Sequence, residues 1–401
     1  MSDVDADHLE EAEVFPTIQD LPEELVIYIL SFLSSSELCT CVAKVCTTWQ
    51  DLAFTPSLWR SKDYLCRGDQ KIEERDEIFH RAPCLRCLTI APLGCADTSS
   101  LLSALKGRVL PVSELFLCGR RLGSEFYRDV SEHFEGVEKL VLQDVRLRQD
   151  DYSALGNLRS MTTVVISGDR VSWTGLQTLL SSCPDVSSLR IGVMGCDGDD
   201  ELALVETLNS MSTKLTHCHF LGPLGLSDRV LQSLSNCTRL QELEINDCDE
   251  VSADGLLKGL MKLPSLEKLT LISLYNVPPS ALNEFFTGMS LAKLHHLNIA
   301  VCRLLDNECL RTISERCPNL LSLNIRGCDL ITDAGVAAVL DNCKKLHTLE
   351  LWGLTNLTGE SFRLYLPPSL PALNLIDFRY CSLVPQELLR KLEIKGRKIL
   401  W

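Results

Sequence analysis

Positive charge is scarce in this chain of 401 residues: 39 lysines and arginines face 54 aspartates and glutamates, for a net charge of −15. That balance excludes a broad nucleic-acid or anionic-membrane surface, because both need clustered cations to displace counterions. Long apolar runs are missing too, and no segment approaches the ~18 uninterrupted apolar residues of a membrane span. The first residues show neither the basic start nor the apolar stretch of a signal peptide, so a cytosolic or nuclear location is expected. Nucleophile elbows, His-Glu-x-x-His pairs, Walker loops and calcium loops are all absent. An enzymatic reading has no residue to rest on, and no cofactor is expected.

What is there begins with acid. Asp3, Asp5, Asp7, Glu10, Glu11 and Glu13 come without one Lys or Arg among the first fourteen residues, which predicts a solvated, disordered tail over 1–15. Hydrophobic residues at 45% and charged residues at 23% are those of an ordinary soluble globular protein. The length exceeds the roughly 250–300 residues at which single compact cores split, so several domains or a repeat array must follow. Nineteen cysteines would suggest disulfides in a secreted chain. In a reducing compartment they are small buried hydrophobes or metal ligands, and spacing decides which.

Self-similarity organises most of the chain. Leu-x-x-Leu-x-Ile/Leu recurs as Leu240-Gln-Glu-Leu243-Glu-Ile245, Leu266-Glu-Lys-Leu269-Thr-Leu271 and Leu320-Leu-Ser-Leu323-Asn-Ile325. The first apolar positions fall at Leu85, Val112, Val137, Met161, Val186, Leu215, Leu240, Leu266, Leu294, Leu320, Leu346 and Leu373, twelve copies spaced 24 to 29 residues. Each copy alternates apolar and polar residues, then passes through a loop into helical spacing, so one unit is strand, turn, helix. In the clearest copy Thr332 is placed to cap a helix whose inner face is Val336, Val339 and Leu340, and Ser227 and Ser252 begin similar segments. A lone unit cannot bury both its strand edge and its helix. The copies must stack, parallel strands inside and the wider helices outside, and bend into a horseshoe.

Cysteine follows the same period. Cys248, Cys302, Cys328 and Cys381 lie three residues beyond a strand's last core position, and Cys183, Cys237, Cys317 and Cys343 lie three residues before the next strand's first one. These eight are compact residues that turn the chain and fill a corner, and the pattern resembles the cysteine-containing class of leucine-rich repeats. Cys84-Leu-Arg-Cys87 with Cys95 lacks the second ligand pair of a structural zinc site, so no metal is expected. His217-Cys218-His219 puts both histidines on one strand face, as metal ligands, partner contacts or plain surface residues. The segment from Gly192 to Glu201 has glycines but the wrong spacing and charge for phosphate. It reads as a surface loop inserted in the longest repeat.

Residues 16–60 have a different logic. Pro22 suits a first helical position, with Glu23 and Glu24 at the positive end of the dipole. Leu25, Ile29, Phe32 and Leu33 make one apolar face of that helix, with Val26 and Leu30 on a flank. Ser35 or Ser36 is placed to cap a second helix with Leu38, Val42 and Val45; Cys46 to Leu52 continue to a third, and Pro56-Ser-Leu58-Trp59 closes the module. So short a module cannot bury all these faces alone, so a partner is expected. Leu21-Pro22-x-Glu24-Leu25, Ile29-Leu30, Leu33, Leu38, Val45-Cys46, Trp49 and Leu58-Trp59 closely match the F-box in order and spacing.

An F-box followed by such repeats resembles the F-box and leucine-rich-repeat family, over residues 16–401. The resemblance implies an α/β chain: a small all-α F-box (16–60), a charged helical connector (61–84), a leucine-rich-repeat solenoid of about twelve repeats (85–382), and a C-terminal helix and cap (383–401). It implies the non-catalytic substrate receptor of an SCF-type ubiquitin ligase. The F-box would dock on a Skp-type adaptor and, through it, on cullin and RING subunits, while the repeats hold a protein client for ubiquitination and proteasomal degradation. A non-degradative scaffold or a ligand-dependent sensor would use the same parts. Carried over residue by residue, adaptor contact falls on Leu21, Pro22, Leu25, Ile29, Leu33, Leu38 and Trp59.

The polar alternates of each strand point into the concavity, among them Phe116, Arg190, His217, His219, Glu350, Trp352 and Arg379. Client contact is expected around Arg326, Glu350, Trp352 and Arg379, where two cations beside an indole suit an acidic or phosphorylated segment with an apolar anchor. The competing site is the Arg190, His217 and His219 region in the middle of the arc.

Overall fold

Short strands of alternating burial are the unit from which the molecule is built. In the computed structural model the described residues are 18, 21–67, 71–91, 105, 107–119, 124–195, 201–363, 372–393 and 398–401. The acidic tail, Cys95 and residues 196–200 of the Gly192–Glu201 loop lie outside them.

The amino-terminal module has helices α1 (Glu23–Leu30), α2 (Ser35–Thr40), α3 (Thr47–Ala53) and α4 (Pro56–Trp59). Pro22 stands one position ahead of α1. The cap of α2 is Ser34, not Ser35 or Ser36. Its hydroxyl accepts from the Glu37 N–H at 3.2 Å while its own N–H donates to the Glu37 carboxylate at 2.8 Å, a reciprocal box that satisfies two otherwise orphaned donors. Val26, Leu30, Leu38, Val42, Leu52 and Trp59 are all buried. The Trp59 indole donates to the Ala53 carbonyl at 2.6 Å and stacks on Phe54 at 6.1 Å.

The stretch 61–84 differs from a purely helical connector. It holds strand β1 (Asp63–Cys66) as well as α5 (Ile72–Arg81), and β1 pairs in parallel with β2 (Leu85–Ile90), Asp63 opposite Cys87 and Cys66 opposite Ile90. Tyr64 and Cys66 point into the core on alternate positions, a period-2 pattern without the Leu-x-x-Leu signature. The solenoid therefore begins before its first recognisable repeat. Lys62, just ahead of β1, has a buried side chain whose ammonium donates to the Ser31 and Leu33 carbonyls at 2.6 and 2.5 Å.

From β2 the sheet continues through β3 (Leu110–Cys118), β5 (Lys139–Gln143), β6 (Thr163–Gly168), β7 (Ser188–Val193), β8 (His217–Phe220), β9 (Glu242–Ile245) and β10 (Lys268–Leu271). It ends with β11 (His296–Asn298), β12 (Ser322–Asn324), β13 (Thr348–Glu350), β14 (Leu375–Asp377) and β15 (Lys398–Leu400), while the two-residue β4 (Phe134–Glu135) pairs only with β3. Every pairing is parallel and in register, so that Leu243, Leu269, Leu297, Leu323 and Leu349 form one row. Each of these leucines is at most 1% exposed, and burial of one such side chain stabilises by roughly 1.5–3 kcal/mol.

A second ladder ties the helix starts together. Ser227, Ser252 and Thr332 cap their helices, and each cap is held by a residue of the preceding repeat. Asp228 accepts from the Ser252 N–H and hydroxyl, Asn307 from the Thr332 and Gly335 N–H groups. Asp333 accepts from the N–H and hydroxyl of both Thr358 and Ser361 at 2.7–3.0 Å. Burial works against the Asp333 carboxylate, but these donors outweigh it and hold its pKa below the ordinary value. Among the described residues no helix is long and apolar enough to cross a membrane.

Candidate functional site

The two faces of α1 differ sharply in burial. Val26 and Leu30 pack inward at 4% and 2% exposure, while Leu25 (49%), Tyr28 (63%), Ile29 (42%) and Phe32 (73%) face solvent. Leu21 and Pro22 continue this outer surface, Leu33 is half-buried, and Val45 beyond α2 is exposed as well. Tyr28 and Phe32 meet edge to face at 5.1 Å. Leu38 and Trp59, grouped with the surface residues by motif position, are instead fully buried. Internal packing consumes both side chains, so they shape this surface without lining it. Tyr28, Phe32 and Val45 are not among the expected contact residues; in the sequence Tyr28 and Phe32 stand among apolar neighbours on both sides of α1, and periodicity does not say which stripe is covered.

In the middle of the arc, neighbouring strands bring His217, His219, Glu242, Glu244 and Lys268 together. The His219 ring lies 3.0 Å from Glu244, Lys268 donates to Glu242 at 2.6 Å, and Arg190 reaches to 3.8 Å from Glu244. Burial pushes Glu242 up, but Lys268 and the two histidines outweigh it and hold the carboxyl low, while the hydrogen bond to His219 lowers Glu244. The cluster satisfies itself: its charges already face opposite charges.

Toward the carboxy-terminal end, Arg326, Trp352 and Arg379 occupy one row just past β12, β13 and β14. The Gly327 N–H donates to the Trp352 carbonyl and the Gly353 N–H to the Arg379 carbonyl, both at 2.9 Å. The Arg326 guanidinium lies over the indole at 5.4 Å, and Tyr380 meets that indole edge to face at 5.0 Å. Arg379 is not a free cation. It grips the buried Asp377 carboxylate through two bonds of 3.0 and 2.7 Å, which raises its pKa. Glu350 accepts from Asn324 at 2.9 Å, and burial, then the nearby Asp377, pushes its pKa up. In place of the expected pair of free cations beside an indole, Arg379 is taken by Asp377, while Arg326 stands over the indole near Glu350 with a second aromatic ring, Tyr380, beside that indole.

The eight repeat-position cysteines are all buried, and several thiols donate back to the previous repeat: Cys302 to Leu274, Cys328 to Ile299 and Cys381 to Leu351, at 3.6, 3.4 and 3.1 Å. Burial pushes Cys302 up to about 11 and Cys317 up to about 12, which disfavours the nucleophilic thiolate form.

Residues 18–64 match the F-box-like family model. The F-box protein SKIP19 of Arabidopsis thaliana is 26% identical to the chain over 254 residues, a match that covers 60% of this chain and 72% of that protein. The putative F-box/LRR-repeat protein 21 of the same plant is 24% identical over 252 residues, covering 60% and 76%. A chain of the Rad7 and Elc1 complex in yeast superposes with a TM-score of 0.58 at 15% identity, covering 94% of this chain and 92% of that one, which is a likeness of fold. With an F-box-like domain at its amino-terminal end and a parallel-strand, leucine-rich solenoid behind it, the chain is similar to proteins of the F-box and leucine-rich-repeat family.

Proposed function

We propose that the chain is the substrate-recognition subunit of an SCF-type ubiquitin ligase, with the F-box held by a Skp-type adaptor and the repeats holding a protein client. The observation that carries this is the outer surface of α1. Leu25, Tyr28, Ile29 and Phe32 are exposed, while the opposite side of α1, with Val26 and Leu30, is already buried in the core. Contiguous apolar surface of this kind marks a protein interface. Cullin and RING subunits join through the adaptor, and ubiquitin transfer takes place on other subunits.

The joint between the modules supports the same reading. Because β1 extends the solenoid sheet and Lys62 bonds to the end of α1, a client on the repeats stays at a fixed distance from whatever the F-box binds. A fixed geometry sustains a high effective concentration that a loose linker would dilute. The client surface in this reading is the carboxy-terminal end of the arc around Arg326, Glu350 and Trp352, with Arg379 a structural partner of Asp377.

Tagged wild-type chain in cells tests this. It should recover adaptor and cullin together, and clients recovered with Leu25→Asp/Phe32→Asp should be proteins whose level rises on proteasome inhibition. Recovery of adaptor without cullin, together with clients indifferent to the proteasome, would contradict the proposal.

A further inference from the structure

A backbone slot recurs after each of the last strands. Val301, Gly327, Gly353 and Tyr380 fill it with φ of 58°, 65°, 75° and 61°, the left-handed region that favours glycine. Glycine serves at two of these positions. A tyrosine there is strained, and an edge-to-face contact with Trp352 is of the same small order as that strain. Val301 lies against the backbone of the next slot, its Cγ2 3.7 Å from the place a Cβ would take on Gly327. The Tyr380 residue remains 74% exposed. Stability of the isolated chain therefore gives no reason for a large ring here, and a strained, exposed aromatic residue is the signature of a contact made with something else.

The charges beside it say what that is. Arg326 lies on Trp352 at 5.4 Å and Arg303 lies on Tyr275 at 5.1 Å. Among the described residues neither guanidinium has a carboxylate within ion-pair distance, whereas Arg379 is matched by Asp377. The two arginines belong to adjacent repeats whose backbones are bonded, the Val301 N–H donating to the Arg326 carbonyl at 2.7 Å. An arginine held over an aromatic ring by a cation–π contact leaves its donors available for an anion. From Tyr275 to Tyr380 the edge crosses four strand spacings, about 19 Å, the reach of about six residues of extended chain.

We infer that this loop edge, from Tyr275 to Tyr380, docks an extended protein segment. That segment sets two anionic side chains against Arg303 and Arg326 and one apolar side chain against the Trp352–Tyr380 corner. The inference rests on the receptor reading for its biology, since it names the class of client segment the repeats would hold. Aspartate, glutamate and phosphorylated serine share the required chemistry.

The probes are three fluorescent pools of degenerate decapeptides with two fixed positions, set as glutamate, phosphoserine or glutamine. Binding to the full chain is read by polarisation. The glutamate or phosphoserine pool should bind at least tenfold more tightly than the glutamine pool, and that preference should vanish in Arg303→Gln/Arg326→Gln. A lead of phosphoserine over glutamate assigns a phosphorylated client, and parity assigns an acidic one. Tyr380→Gly should weaken binding fivefold or more while its thermal midpoint stays within about 2 °C of wild type or rises. Equal binding of the pools, no binding at all, a preference that survives the double substitution, displacement by a single-stranded oligonucleotide, or a lowered midpoint in Tyr380→Gly would each overturn the inference. Adaptor recovery is measured on the same proteins. Failure of wild type to recover adaptor strikes the receptor reading and leaves the peptide preference standing, whereas equal peptide binding with adaptor retained strikes this site alone.

Discussion

The Lys62 ammonium donates to the Leu33 carbonyl at 2.5 Å, a bond between the first residue leading into the sheet and the end of the helix that carries the F-box's outer surface. The same ammonium takes the Ser31 carbonyl, and the Lys62 carbonyl accepts from the Arg86 N–H at 2.9 Å. One residue thus fixes two modules. Burial lowers its pKa, and the nearby Glu37 opposes that shift.

Replacing Lys62 by methionine keeps the apolar stem and leaves two carbonyls without their donor. Charge-assisted bonds of this kind are worth roughly 1.5–3 kcal/mol, so local opening around Ser31 to Leu33 should become at least tenfold more frequent. Amide hydrogen exchange measures it. Unchanged protection in Lys62→Met would show that the joint is held by packing alone.

The two classes of F-box residue should separate cleanly on mutation. Leu38→Ala, at a fully buried position, should cost roughly 2–5 kcal/mol in denaturant unfolding of the module. Phe32→Ala, at 73% exposure, should cost no more than about 0.5 kcal/mol. Equal losses would mean that α1 packs differently from the arrangement described.

Asp333 provides a pH-dependent lock between repeats. Its folded pKa is depressed, so the unfolded chain binds the more protons in the window below the ordinary value of about 4. Its stabilising contribution is complete above that value and disappears as pH falls through the folded pKa. Asp333→Ala should therefore be less stable than wild type by about 1–3 kcal/mol at neutral pH, and the gap should narrow in acid. A gap independent of pH between 2 and 7 would rule out the ionised carboxylate as its source.

Thiol reactivity should follow burial. Cys41 and Cys46 are exposed and should alkylate within minutes in native protein, whereas Cys302 and Cys317, buried and with raised pKa, should wait for denaturant. Mass analysis of peptides after timed labelling reads this directly. Early modification of Cys317 would show that its repeat opens readily.

The repeat register was legible because one row of leucines and one row of cysteines recur at nearly constant spacing, and each is tied to a fixed structural role. β1 was not, because Asp63-Tyr-Leu-Cys66 alternates over too few residues to stand out from a charged segment. Leu38 and Trp59 carry family motif positions, yet a motif records what the module needs for its own core as well as for its partner. Arg379 looked like a free cation beside Trp352 because strand alternation gives the direction of a side chain but not its neighbours. Only the fold shows Asp377 within its grip. Tyr380, three residues beyond β14, was invisible to any alternating pattern, since its place is set by a left-handed turn.

The central claim is that the exposed face of α1 docks on a Skp-type adaptor. Co-expression of the full chain with that adaptor, followed by purification on a tag carried by the chain, tests it most directly. Wild type should recover the adaptor in a one-to-one complex, and Leu21→Ala/Pro22→Ala and Leu25→Asp/Phe32→Asp should lose it while keeping the cooperative unfolding of the repeats. Adaptor recovered with either double variant at wild-type yield would contradict the account.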